Sequence, residues 1–171
     1  MLTHSPTGHL RSGGCNLNIQ KTLTIIFGAP EEINGANRCP TYLYRWTVAK
    51  FPGKRGIYIH HFVGDDWSLD LHDHPKRFIS IGVYGWYIEE TPQAADSEWA
   101  GATILTRYRA PWIRSFPANH IHRLQVPTKN CWTIVIVLKA QREWGFWHLG
   151  NFIHWRTYVK SETADKMKAC D

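Results

Sequence analysis

What most constrains this chain is a run of short strand-like segments between Thr41 and Val159, each closed by turn residues. Tyr42–Lys50 alternates aromatic and polar side chains, and Phe51-Pro52-Gly53-Lys54 has turn chemistry. Gly56–Val63 is β-branched and aromatic and runs into the turn Gly64-Asp65-Asp66. Trp67–His74, Lys76–Val83, Tyr84–Glu89, Ala102–Tyr108, Trp112–Phe116, His120–Val126, Trp132–Lys139, Glu143–Trp147 and Phe152–Val159 continue the series. Their spacing is that of a sandwich or barrel, so the chain reads as all-β. Outside this block, residues 1–18 read as a loose arm, Ile19–Phe27 as a strand and Gly28–Pro40 as a loop. Ser161–Asp171 reads as helical, with Ser161 as its N-cap. The organisation expected is an N-terminal arm and loop over 1–40, a barrel over 41–159 and a tail over 160–171.

Within the series, His72-Asp73-His74 carries the clearest chemistry. Successive side chains of a strand point to opposite faces, so His72 and His74 share one face about 7 Å apart, as two ligands of one divalent metal would. Asp73 turns the other way, and Pro75 ends the strand or sits at its edge. A second pair, His120-Ile121-His122, lies in another strand-like stretch. Asp70 shares the face of His72 and His74 and is a candidate carboxylate for orienting an imidazole. His60 and His61 are adjacent and must diverge, so at most one of them points inward.

Length and composition narrow the rest. A chain of 171 residues with 43% hydrophobic and 20% charged residues is one globular domain with a sizeable core. No apolar run approaches the roughly 20 residues needed to cross a bilayer, and the polar start lacks a signal core, so a soluble, cytoplasmic protein is expected. Cys15, Cys39, Cys131 and Cys170 form no CxxC pair and read as reduced thiols. The net charge of +6 invites nucleic acid as a partner, but the basic residues are scattered and form no Lys/Arg block. The nearest approach to a stripe is Arg107, Arg109, Arg114 and Arg123, either a solvated face or a site for an anionic ligand.

These histidines resemble those of the cupin superfamily, small double-stranded β-helix (jelly-roll) barrels that hold a metal inside. His72 and His74 fill the two histidine positions of the first cupin motif, and Gly85 falls at its closing glycine. Phe78 stands where the motif has glutamate, and Trp67 or a neighbour replaces the opening glycine. In the second motif Pro117 and His122 match, whereas Pro111, Asn119 and Val126 replace glycine, glycine and asparagine. The tail segment from Arg142 to Arg156 is similar to that of uncharacterised cupin-domain proteins of bacteria and phages.

The resemblance implies a cupin barrel with a loose N-terminal arm and a short C-terminal helix. It implies one divalent metal on His72, His74 and His122, a three-histidine set like that of the thiol dioxygenases. Fe(II) suits such a site, and Zn, Mn, Ni or Cu would also bind imidazole. The function expected is a metal-dependent, dioxygenase-type oxidoreductase acting on a small anionic molecule. Arg107, Arg109 and Arg123 are the candidates for pairing with that anion. The alternatives are a non-catalytic binding module for a sugar, nucleotide or acid, and a sugar isomerase or epimerase. The isomerase needs a base near the substrate, for which Tyr84, His120 and Glu143 are the candidates. A homodimer paired through its sheets completes the expectations.

Overall fold

The computed structural model describes residues 13–34, 40–93 and 101–161. Helix α1 (Gly13–Phe27) precedes twelve strands and a closing helical turn. The strands are β1 (Glu31–Asn34), β2 (Thr41–Phe51), β3 (Arg55–Phe62), β4 (Leu71–His72), β5 (Lys76–Tyr84) and β6 (Trp86–Pro92). They continue as β7 (Thr103–Arg109), β8 (Trp112–Phe116), β9 (Arg123–Gln125), β10 (Cys131–Ala140), β11 (Gly145–His148) and β12 (Asn151–His154), with α2 over Trp155–Tyr158.

Every strand pairing is antiparallel. One sheet has six strands in the order β1-β2-β3-β10-β5-β8, and two sheets have three each, β12-β11-β4 and β7-β6-β9. The two small sheets meet through an antiparallel bridge between His72 and His122, which makes them one second layer. The two layers enclose the interior as a double-stranded β-helix. Inward parity follows the pleat: Tyr58, His60 and Phe62 of β3 face in, as do Thr133, Val135 and Val137 of β10 and Phe78 and Ser80 of β5. One end is filled by Leu43, Phe62, Tyr87, Val126 and Cys131. The other packs Phe146 and Tyr158 with Trp67, Trp144 and Trp155. Cys131 is a free, buried thiol whose pKa burial pushes up to about 12. Cys39 and Cys170 lie outside the described residues.

Three expectations are corrected here. Ile19–Phe27 is not a strand but the latter part of a helix that begins at Gly13, inside the segment 1–18 expected as a loose arm. Gln20 and Thr24, one turn apart, reach His61 (2.8 Å) and Trp46 (3.4 Å) on the outer face of the large sheet. That docking overrides the strand-like alternation of the sequence, and Gly28 (φ 83°) stops the helix by donating its N–H to Thr24 O. Glu31–Asn34 is a four-residue edge strand inside the expected loop, recruited by the free edge of β2. The short C-terminal helix is Trp155–Tyr158, where a strand was expected; residues 162–171 lie outside the described residues. Among the described residues no helix is long and apolar enough to cross a membrane.

Candidate metal centre

The site is built on the seam between the two small sheets. His72 ends β4 and exchanges backbone hydrogen bonds with His122, N to O at 2.8 and 2.9 Å. His74 follows one pleat on and donates its N–H to Ala118 O (3.2 Å). Pleat and bridge bring the three rings together, with every pair of centroids 5.1 Å apart. Their ligand nitrogens all lie within 4.8 Å of one another. The residues that carried the motif in the sequence are therefore the ones the fold assembles.

Each imidazole is kept neutral, the form that coordinates a metal. Burial lowers the pKa of His72 to about 4. Burial and the neighbouring imidazoles hold His74 well below the ordinary histidine value, and in lowering His122 burial outweighs the hydrogen bond that His122 donates to Glu89. His74 Nε2 and His122 Nε2 stand 2.9 Å apart. Nitrogens this close could be ligands of a single divalent ion. His72 Nδ1 faces Asp66 Oδ2 at 3.9 Å, too long for a hydrogen bond.

The residue the sequence did not single out is Glu89. It is 1% exposed, on β6, and Oε1 accepts from His122 Nδ1 and His120 Nε2, both at 2.9 Å. Oε2 accepts from Arg114 Nη2 (2.6 Å), and Arg114 Nη1 donates to Tyr87 OH (2.8 Å). Burial alone would raise its pKa, but the bonds from His120, His122 and Arg114 prevail and hold the carboxyl below the usual range. An ionised carboxylate only accepts, so His122 carries its proton on Nδ1 and turns a bare Nε2 toward His74. The Glu89-Glu90 pair is visible in the sequence, but nothing in it says which carboxylate crosses to the histidines.

Asp73, fully buried on the opposite side of the strand, accepts from Arg142 Nη1, Gly145 N (3.0 Å) and Trp147 Nε1 (3.2 Å). It pins β11 beside β4, which gives the Arg142–Trp147 segment a physical task. Asp70 does orient an imidazole, but that of His148 (3.0 Å), and it also accepts from Tyr158 OH (2.8 Å). Phe78, at the position of the motif's glutamate, sets its ring edge-on to His74 (5.0 Å) and stacks on Phe116 (4.7 Å).

The histidines open onto a cavity of about 450 Å³ lined by Phe78, Phe116, Phe146, Val135 and Val137, with His60 and Thr133 further along. The other sequence candidates lie elsewhere. Tyr84 is 57% exposed, because an irregularity where β10 meets β5 pairs it with Trp132 and breaks the inward parity of Phe78 and Ser80. Glu143 is exposed and bonded to His154 (3.1 Å) instead of to an arginine. His120 spends Nε2 on Glu89 and supports the triad from behind. Arg107 is exposed and lies over the Trp86 ring, Arg109 is exposed, and Arg123 pairs with Glu90 (3.4 Å). None of these three arginines borders the cavity; the cations that do are Arg45 and Lys76.

No protein-family model matches the sequence, and no curated protein matches it. Solved structures with a similar chain path include a conserved double-stranded β-helix protein from Klebsiella pneumoniae (12% identity, 65% of this chain, 89% of that one, TM-score 0.46). An Fe(II) form of HppE is 9% identical over 64% of this chain and 56% of that one, with TM-score 0.48. KdgF from Halomonas sp. is 16% identical over 59% of this chain and 81% of that one, with TM-score 0.41. At these identities and scores the likeness is one of chain path and does not extend to a shared activity.

Proposed function

We propose that this protein is a metal-dependent oxidoreductase of the dioxygenase type, acting on a small anionic molecule with one Fe(II) held by His72, His74 and His122. The observation that supports this most is the convergence of three neutral imidazoles on the wall of the barrel cavity. Bound there, iron would supply redox chemistry toward O2; zinc, manganese, nickel and copper also suit three nitrogens. The chain's own residues do the rest. Glu89 fixes the tautomer of His122, Arg114 neutralises Glu89, and Phe78, Phe116 and Phe146 give the cavity beside the triad apolar walls. The functional unit is the barrel, 41–159, in a cytoplasmic protein without a nucleic-acid partner.

One observation favours the second reading, a non-catalytic binding module. A proton shared between His74 Nε2 and His122 Nε2 satisfies both rings without an ion. Elemental analysis of untagged protein beside a His72→Ala/His74→Ala variant separates the two. The enzyme reading expects close to one metal per chain, lost in the variant, and O2 uptake by the iron-loaded protein with a panel of thiols and small acids. Metal-free wild type, or no uptake with any of them, hands the cavity to the binding reading.

For a homodimer we propose the outer face of the large sheet as the surface. Trp46, Ile59, Ile134, Ile81 and Ile113 form one cross-strand row there, followed by Ile57, Ile136 and Ile79 in the next. Helix α1 reaches Trp46, while Ile113 at the other end is 77% exposed. A self-complementary apolar face of this kind fits a second copy of the same chain.

A further inference from the structure

Two polar atoms on the cavity wall have no partner: Thr133 Oγ1 and His60 Nε2. They are neighbours, since Thr133 pairs with His60 across β10 and β3, and His60 pairs in turn with Arg45 on β2. Thr133 is 2% exposed, so no bulk water reaches its hydroxyl. A buried polar atom left unpaired is costly, and such groups persist where something else comes to satisfy them. Arg45, half-buried at the cavity edge, gives Nε and Nη2 to one oxygen of the exposed Glu31, at 3.2 and 3.0 Å. That pair is screened by solvent, and Nη1 is left over. The row thus offers a guanidinium, an imidazole and a hydroxyl, side by side on three adjacent strands.

We propose that Arg45, His60 and Thr133 form the recognition end of the cavity and take the carboxylate of a small amphiphilic acid. Its apolar body runs along the barrel toward the three histidines. The proposal rests on the cavity being the substrate site. Hydrogen-bond donors from all three groups suit the two oxygens of a carboxylate, and Arg45 supplies the countercharge. Burial and Arg45 lower the His60 pKa to about 3, so this imidazole is a neutral partner that does not compete with Arg45 as a second cation. The row between the two ends is Tyr58, Val135 and Ser80, and Val137 and Phe78 follow it beside His74, so the path is mainly apolar with one hydroxyl from Ser80 and one from Tyr58. From Gly82, which shares the row with Thr133, to Phe78 beside His74 is four residues of β5, roughly 13 Å. A medium-chain acid of about eight carbons spans most of that length.

The test is isothermal titration of metal-free protein with octanoate and with octanamide, in wild type, Thr133→Val and Arg45→Met. Octanoate is expected to bind, octanamide to bind at least tenfold more weakly, and each substitution to weaken octanoate at least tenfold. Thr133→Val keeps the shape and removes an unpaired hydroxyl, so its Tm should equal or exceed that of wild type, and it carries the test even if Arg45→Met does not fold. Octanoate that fails to bind, or binds Thr133→Val as well as wild type, overturns the proposal. Metal content is measured on the same batches before the metal is stripped, so an empty triad is told apart from a failed acid site.

Discussion

Glu89 shows how much of this candidate centre depends on a side chain outside the His72, His74 and His122 triad; with His120 and His122 it forms a second cluster close enough to hold an ion. It is a buried charge compensated by Arg114 and by two imidazole N–H groups, and it decides which nitrogen of His122 is free to bind. Glu89→Gln keeps the shape, but if its Oε1 accepts from both histidines its NH2 faces Arg114 Nη2 donor to donor, and the negative charge that holds the His122 proton on Nδ1 is gone. Metal affinity should fall 10–100-fold, as read by competition with a chelator, with His72 and His74 intact. Unchanged affinity would mean that the carboxylate is not what holds His122. The triad itself was legible in the sequence because strand parity and motif spacing act over a few residues. Glu89 was not, because its contact with His122 is made across strands β6 and β9, and sequence distance carries no trace of that. The arginine candidates failed to reach the cavity for a similar reason: Arg107 and Arg109 are at outward positions on β7, whereas Arg45 sits on β2, far from either histidine pair in sequence.

At the scale of elements, the strand series was readable and its irregularities were not. Gly85 stood at the motif's closing glycine, and the fold gives the reason. It joins β5 to β6 with φ 82°, and a Cβ there would lie 2.2 Å from Asn130 O, a backbone atom that cannot step aside. Gly85→Ala should therefore lose about 2 kcal/mol or more of stability, from backbone strain and from displacement of the Asn130 turn. Urea denaturation measures it, and a loss below about 0.5 kcal/mol would contradict the account. Just before Gly85, the slip that pairs Tyr84 with Trp132 turns Tyr84 outward, which no count of residues along β5 reveals. Helix α1 escaped the sequence reading too: its alternating residues suit a strand, and only the sheet face offered by β2 and β3 makes a helix the better partner.

For the whole molecule, the buried histidines set the response to acid. Burial lowers His60 to about 3 and His61 and His72 to about 4, against 6.5 for an exposed imidazole. Below 6.5 the unfolded chain takes up protons that the folded one refuses, so stability is complete above that value and is lost as pH falls toward 4. The Tm of metal-free protein should be level above pH 7 and drop steadily from pH 6 to 4. His61→Gln should make the slope shallower; an unaltered slope would remove His61 from the cause. The assembly question belongs at this scale as well. Ile81→Glu, in the middle of the outer apolar row, should convert a dimer to a monomer in light scattering without changing metal content, and an unchanged dimer would place the interface elsewhere.

The stack beneath α1 has an optical consequence. Trp46 and Trp132 lie 5.8 Å apart and nearly parallel, and His61 covers the other indole contact of Trp132 at 3.9 Å. Paired indoles so close exchange excitation, and an imidazolium formed against one of them would extinguish its emission. Since α1 grips both His61 and Trp46, lifting that helix would admit water and protons to the pair and dim the protein's ultraviolet fluorescence. The chain thus carries its own lamp for whether its first helix is in place.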